Sequence, residues 1–149
     1  MPTPLPPLWQ CPRCGERFVT RNMWHSCGTY TVEALFAGCE PQVMPLFERF
    51  AKMVRTCGPV AMIPQKTRLV FQVRVRFVGI YPRKSHFLCG LLLGRQLDHP
   101  RFVKIETFSP RCFGHHLRLA AESDLDDELA GWLQEAYAYG EQQHLAAKG

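Results

Sequence analysis

The apolar residues between positions 40 and 57 recur with the spacing of a helix. They follow the i, i+3, i+4, i+7 pattern that places side chains on one face: Val43, Leu46, Phe47, Phe50 and Met53. Pro41 suits the first turn of such a helix, where a proline loses no hydrogen bond, and Gly58 suits its end. The pattern predicts an amphipathic helix here, and a shorter helical turn is expected before it, over residues 31–37.

Between residues 59 and 118 the period of the pattern changes to two, as expected for strands. From Leu69 to Phe77, apolar odd positions alternate with even positions that are mostly basic or polar. This alternation is longer than one ordinary strand, so it predicts either a tight hairpin near 73–76 or a bent strand. Further strands are predicted over 86–95, 101–108 and 112–118, with turns at 81–85, 97–100 and 109–111.

A second long helix is predicted near the C-terminus. Ser123 is a favourable N-cap, and Asp126 stands three residues on, where the acid of a capping box belongs. The neighbouring acidic residues would lie at the positive end of the helix dipole. The apolar stripe of this helix consists of Leu125, Leu129, Trp132, Leu133, Ala136 and Tyr137.

The order helix, strands, helix predicts an α+β fold, in which an antiparallel sheet carries its helices on one face. A small zinc-knuckle segment is predicted to precede it. We therefore divide the chain into residues 1–30, a Pro-rich lead-in with a zinc-finger-like segment, and residues 31–149, the α+β domain. The chain has 149 residues, of which 46% are hydrophobic, and this is enough for one domain with its own core.

Four potential metal ligands lie close together in the first 30 residues. "CPRCG" contains Cys11 and Cys14, and "WHSCG" contains His25 and Cys27. Thiolates and imidazoles suit Zn²⁺, which takes four such ligands in a tetrahedron, and a closed set of four is structural. We predict a structural zinc ion that folds a segment too short to fold alone. Cys39 is an alternative fourth ligand, and a redox pair or plain free thiols are alternative interpretations.

The charge is unevenly distributed along the chain. Residues 52–118 carry thirteen basic and two acidic side chains, whereas residues 119–149 carry one lysine and seven acidic side chains. A basic region of this kind indicates an anionic partner. Six cations of its first half form the predicted anion-binding surface: Lys66, Arg68, Arg74, Arg76, Arg83 and Lys84. The alternative is that the acidic C-terminal segment covers part of the basic surface.

Catalytic motifs give a weaker signal. His115 and His116 are adjacent in a predicted strand, so they point to opposite faces of the sheet. Either histidine, together with Glu106 and Lys66, is a candidate active site if the side chains converge in a pocket on the sheet. The sequence contains no Gly-rich phosphate loop, HExxH motif or nucleophile elbow. An enzyme is therefore the less favoured interpretation.

Six phrases, in order, carry a resemblance to a known family: "WQCPRCGERF", "WHSCG", "GPVAMIPQKTRLVFQVRVRF", "HPRFVKIETFSPR", "HHLRL" and "DLDDELAGWLQEAYAYGEQQHL". They extend from Trp9 to Leu145 and resemble the bacterial family called domain of unknown function 5655. The resemblance implies a small α+β domain behind a zinc-finger-like segment. It implies no catalytic residues.

These observations favour a zinc-stabilised binding module whose basic sheet region meets an anionic partner, with nucleic acid as the expected class. The alternatives are an enzyme of the kind described above and an adaptor that binds another protein. The N-terminus has no basic start followed by an apolar run, and no apolar stretch is long enough to span a bilayer. We therefore expect a cytoplasmic protein that does not associate with membranes.

Overall fold

The computed structural model describes residues 7–12, 17–19 and 30–142. Two short strands, β1 (Trp9–Gln10) and β2 (Arg17–Phe18), form an antiparallel pair. The later elements are α1 (Val32–Phe36), α2 (Val43–Thr56), β3 (Ala61–Pro64), β4 (Leu69–Gln72), β5 (Arg76–Pro82), β6 (Phe87–Leu93), β7 (Phe102–Ser109), β8 (Cys112–Leu119), a 3₁₀ turn (Glu122–Asp124) and α3 (Asp127–Gly140).

Strands β3 to β8 form one antiparallel sheet in the order β3-β4-β5-β6-β8-β7. The first four strands are a meander, and β8 then pairs with β6, which leaves β7 at the edge. The alternation from Leu69 to Phe77 is a hairpin, with its turn at residues 73–75. The carbonyl of Gly140, at the end of α3, accepts the N–H groups of Arg74 and Val75 at 3.0 Å and holds this turn against the helix layer.

The core lies between one face of the sheet and the helices. Four phenylalanines from α2, β4 and β6 pack with ring centroids 5.6–6.3 Å apart: Phe47, Phe50, Phe71 and Phe87. Phe36 of α1 joins them through Phe47, and α3 contributes Leu129, Leu133 and Ala136. The predicted α+β fold, with helices packed on an antiparallel sheet, is confirmed.

Within the described residues, no helix combines the length and apolar composition that a membrane crossing requires.

The prediction of Ser123 as the N-cap of the last helix is wrong. Ser123 lies in the 3₁₀ turn, and the N-cap of α3 is Asp126, whose carboxylate accepts the N–H of Leu129 at 3.0 Å. The carboxylate of Asp124 accepts the N–H groups of Ala120 and Ala121 at 2.9 and 3.0 Å. This closes a separate turn, so the chain enters the helix three residues later than expected.

Candidate anion-binding site

The face of the sheet opposite the helices carries an open pocket of about 280 Å³. Its residues alternate with those of the core, because successive side chains of a strand point to opposite faces. In β4, for example, Leu69 and Phe71 pack against the helices, whereas Val70 lines the pocket. Side chains from β4 to β8 contribute, so residues far apart in the chain meet here.

The floor of the pocket is made of glycines covered by aromatic rings. Gly79 pairs with Gly90, and Gly90 pairs with His116 across the sheet. A Cβ added at Gly79 would lie 3.3 Å from the hydroxyl of Tyr81, and one added at Gly90 would lie 3.1 Å from Cε1 of His116. The two rings therefore lie low over positions without side chains, with their centroids 6.2 Å apart. Glycine in a strand often permits this kind of close approach.

One side of the pocket is cationic. Arg68 donates from Nε to Oε1 of Gln65 at 2.8 Å, and its Nη1 lies 3.4 Å from the hydroxyl of Tyr81. Arg76 is half-buried beside it, and burial together with the positive charge of Arg68 lowers the pKa of Arg76. Among the described side chains, no carboxylate forms an ion pair with Arg68 or Arg76. The two guanidinium groups thus face the same space, and the carboxylate that also lines it, Glu106, contacts His116 and Lys104 instead.

The opposite side carries an imidazole and a carboxylate. Nε2 of His116, in β8, lies 2.7 Å from Oε1 of Glu106, in β7, and Nζ of Lys104 lies 3.9 Å from the same oxygen. Nε2 is shielded from solvent, and it is not aligned for a hydrogen bond with any described group. The two atoms are therefore in close contact, but they do not form a directed hydrogen bond. At the rim, the exposed ring of Phe108 lies over Gly114.

His115 has a different environment from its neighbour. It is fully buried on the helix side of the sheet, where its ring packs edge-on against Phe102. Its Nε2 accepts the N–H of Leu97 at 2.9 Å, so the proton is on Nδ1, which lies 3.1 Å from the carbonyl of Phe113. Burial lowers the pKa of His115 and keeps the ring neutral. Of the two candidate histidines, only His116 lies with Glu106 in a pocket.

The six predicted anion-binding cations do not form one cluster. Only Arg68 and Arg76 line the pocket. The exposed Lys66 lies in the turn between β3 and β4, and the exposed pair Arg83 and Lys84 lies in the turn between β5 and β6. In a meander these two turns lie at the same end of the sheet.

Arg74 lies at the other end of the sheet, in the turn between β4 and β5. There its Nε donates to Oε1 of Gln142 at 3.1 Å. Lys66, which the enzyme interpretation placed beside the histidine, does not line the pocket.

Part of the basic region is covered by the acidic C-terminal helix, as the alternative interpretation expected. Arg95 forms two hydrogen bonds of 3.0 and 2.9 Å with the carboxylate of Glu135. Arg101 pairs with Asp126 at 2.9 Å and with Glu128 at 3.1 Å, and it lies over the ring of Trp132. These pairs belong to the helix side and its edge, so they leave the charge of the open face unchanged.

Three elements of the pocket were not identified from the sequence. They are the glycine floor, the ring of Phe108 and the thiol of Cys112. The one local signal for the floor was a glycine inside each of three strand patterns: Gly79, Gly90 and Gly114. The strand pairing that aligns these glycines had no such signal, because it joins residues distant in the chain.

The predicted zinc ligands are only partly described. Cys11 is buried next to β1, whereas Cys14, His25 and Cys27 lie outside the described residues. Cys39, the alternative ligand, is half-buried against the core, and burial raises the pKa of its thiol. Within residues 7–12, 17–19 and 30–142, no three side chains of His, Cys, Asp or Glu are grouped to hold a metal ion. The zinc site stays a prediction.

The chain was compared with protein families, curated proteins and solved structures. No curated protein and no solved structure matches it. The model of one family, described as Domain of unknown function (DUF5655), matches residues 32–140. This range begins in α1, ends with α3 and includes every residue of the pocket. The chain therefore belongs to the family Domain of unknown function (DUF5655), whose domain here carries a pocket with two arginines on the open face of its sheet.

Proposed function

We propose that this protein binds single-stranded nucleic acid on the open face of its sheet. A phosphate would lie between Arg68 and Arg76, and a base would stack on the rings over the glycine floor. The observation that carries this proposal is the pair of guanidinium groups that face one pocket and form no ion pair with any described carboxylate. The charge distribution alone indicates any anionic partner, whereas this proposal names single-stranded nucleic acid.

The phosphate part of the proposal follows from the chemistry of arginine. A guanidinium group is planar and donates two parallel hydrogen bonds to the oxygens of a phosphate. The positive charge of Arg68 contributes to the lowered pKa of Arg76. An anion bound between the two guanidinium groups would attract both of them and offset their mutual repulsion. The exposed cations at one end of the sheet would extend the path of the backbone: Lys66, Arg83 and Lys84.

The base part of the proposal follows from the flat floor. Stacking of a base on an aromatic side chain contributes about 1–3 kcal/mol and depends little on the sequence. Tyr81 and His116 hold their rings close over glycines, and both residues line the pocket in which a ligand would lie. A volume of about 280 Å³ is at the small end for ligand pockets. We therefore expect one nucleotide unit to occupy the pocket.

The test is the affinity for a fluorescent single-stranded oligonucleotide, measured by anisotropy over a range of salt concentrations. Arg68→Gln and Arg76→Gln are each expected to weaken binding by about tenfold or more, since each removes charge-assisted hydrogen bonds. Each should also reduce the slope of log affinity against log salt by roughly 0.7. The matched control is Arg55→Gln, which removes an exposed arginine from α2 on the other side of the molecule. Equal affinities for all four proteins would refute the proposal.

For the N-terminal segment we also propose the structural zinc ion. Its support is the spacing of Cys11 and Cys14 with His25 and Cys27, which supplies four ligands of the kind that Zn²⁺ prefers. The ion would stabilise residues 11–27 and take no part in ligand binding at the pocket.

A further inference from the structure

We propose that the pocket also cleaves RNA, with Glu106 and His116 acting together as the general base. The inference rests on the proposed function, because it requires a phosphodiester held by Arg68 and Arg76. The substrate class is single-stranded RNA, since the sugar of each ribonucleotide brings its own nucleophile, the 2′-hydroxyl, next to the phosphate. No group of DNA can take that part.

The strand pairing fixes the positions of the two sides of the pocket relative to each other. Glu106 stands in β7 opposite Gly114 of β8, and His116 stands in β8 opposite Gly90 of β6. Strands lie about 4.8 Å apart, so β5 and β7 are separated by roughly 14 Å, and arginine and glutamate side chains reach into this interval from its two sides. A phosphate on the arginines would therefore direct its ribose toward the carboxylate.

The pair differs from an ordinary cross-strand contact on an exposed sheet. A cross-strand pair is normally flanked by further side chains, whereas the residues opposite this pair in the sheet are Gly90 and Gly114, which have none. Nε2 of His116 is shielded from solvent, without an aligned hydrogen bond among the described groups. Such a nitrogen is unfavourable to leave unsatisfied. Proton exchange with Glu106, 2.7 Å away, would satisfy it during a reaction.

The reaction is an internal transfer of the phosphoryl group. Glu106 accepts the proton of the 2′-hydroxyl, O2′ attacks phosphorus, and the bond between phosphorus and O5′ breaks. O5′ takes a proton from solvent water, which reaches it because the pocket is open. The products are a 2′,3′-cyclic phosphate and a 5′-hydroxyl end. The proton is shared between Glu106 and Nε2 of His116 across their contact, and Glu106, which is partly exposed in the open pocket, then releases it to solvent water and restores the starting state.

The arginines would serve the chemical step as well as binding. As O2′ attacks, negative charge grows on the non-bridging oxygens of the phosphate. Two guanidinium groups that already line one side of the pocket stabilise this charge, and Arg68 is held in place by its contacts with Gln65 and Tyr81. Arg68→Gln and Arg76→Gln should therefore lower both affinity and rate, whereas Glu106→Gln should lower the rate alone.

The experiment follows a labelled single-stranded RNA through binding and cleavage in parallel, with folding of each variant checked by circular dichroism. Glu106→Gln should reduce the rate of formation of the 2′,3′-cyclic phosphate by roughly 10²-fold or more, the usual effect of losing a general base, with affinity changed less than threefold. His116→Gln should reduce the rate and should also weaken binding, because its ring is part of the stacking surface. Glu48→Gln, an exposed glutamate of α2, is the matched control and should cleave like the wild type.

A chemically modified RNA tests the mechanism with the wild-type protein, so the result does not depend on whether a protein variant folds. RNA with 2′-O-methyl groups should bind the wild-type protein and stay intact, because its nucleophile is blocked. If wild-type protein binds RNA but forms no cyclic phosphate, or if Glu106→Gln cleaves at the wild-type rate, this inference is overturned and the proposed function stands. If RNA does not bind at all, both fail together.

Discussion

His115 and His116 are consecutive residues of β8, yet His115 is fully buried on the helix side of the sheet and His116 lies on the floor of the open pocket. The same side chain therefore has two different surroundings one residue apart. The buried ring of His115 accepts the N–H of Leu97 at Nε2, and its Nδ1 lies beside the carbonyl of Phe113. Its role is therefore structural. The ring of His116 is in contact with a carboxylate and faces the space in which a ligand would bind.

The buried histidine makes the stability of the protein depend on pH. Burial lowers the pKa of His115 in the folded state below its ordinary value of 6.5. Below pH 6.5 the unfolded chain binds a proton there that the folded chain does not, so stability is fully present above that pH and falls as the pH drops toward the folded pKa. We expect His115→Gln to have a smaller loss of unfolding free energy between pH 7 and pH 5, as measured by urea denaturation.

The control for this prediction is His86→Gln. The pKa of His86 is also lowered, by burial and by the charges of Arg118 and Arg83, but its ring lies in the turn before β6 and is only partly buried. We expect this variant to keep most of the wild-type pH dependence. Identical pH profiles for His115→Gln and the wild type would contradict our assignment of His115.

The glycine floor predicts a variant that changes binding more than stability. A Cβ added at Gly90 would lie 3.1 Å from Cε1 of His116, so Gly90→Ala should displace the imidazole from the floor. We expect oligonucleotide affinity to fall severalfold, while the free energy of unfolding changes by no more than about 1 kcal/mol, since alanine is favoured over glycine in a strand. Anisotropy and urea denaturation of the same preparation measure both quantities.

Gly131 supplies the matched control for that experiment. It lies on the exposed side of α3, and a Cβ added there would meet nothing within 4 Å. Gly131→Ala should stabilise the helix by up to about 1 kcal/mol and leave affinity unchanged. Wild-type affinity in Gly90→Ala would show that the position of the His116 ring does not matter for binding.

The start of α3 predicts different effects for two polar residues close in the chain. Asp126→Ala removes the N-cap and also the partner of Arg101, so it should destabilise the protein by about 1–2 kcal/mol. Most of this is the cap, because a partly exposed ion pair contributes little. Ser123→Ala should change stability by less than about 0.5 kcal/mol, as expected for a surface position. Thermal unfolding of both variants distinguishes them, and a larger loss in Ser123→Ala would contradict the assigned helix start.

The zinc proposal predicts a metal content of one ion per chain. Elemental analysis of purified protein should find zinc in the wild type and a loss of most of it in Cys27→Ser. Cys89→Ser is the control, because Cys89 is fully buried in β6 and its thiol has a pKa raised by that burial, so it is not available as a ligand. Wild-type protein without zinc, after purification free of chelators, would remove the proposal.

The arrangement of the candidate site was only partly predictable from the sequence. The charge of the region and the opposite directions of His115 and His116 follow from local pattern, and Glu106 was already a candidate partner. The separation of Arg74 from Arg68 and Arg76 was not predictable, because it depends on where the hairpin turns. Lys66 lies outside the pocket because β4 begins only at Leu69, which leaves Lys66 in the turn before the strand. The sequence pattern did not fix this boundary.

The three helices, the strands from β4 to β8 and the α+β class were determined by the sequence itself, because helical and strand periodicity can be recognised within a single short segment. The short strands β1, β2 and β3 were not predicted, since two to four residues are too few to show a period. Only the tertiary structure decided which residues form the pocket. The registers of β5 with β6 and of β6 with β8 align Gly79, Gly90 and His116 in one row, and the register of β8 with β7 places Glu106 opposite Gly114, two residues along β8 from His116. Such pairings are set by the packing of the whole core against the helices, so they have no signature in any one stretch of the chain.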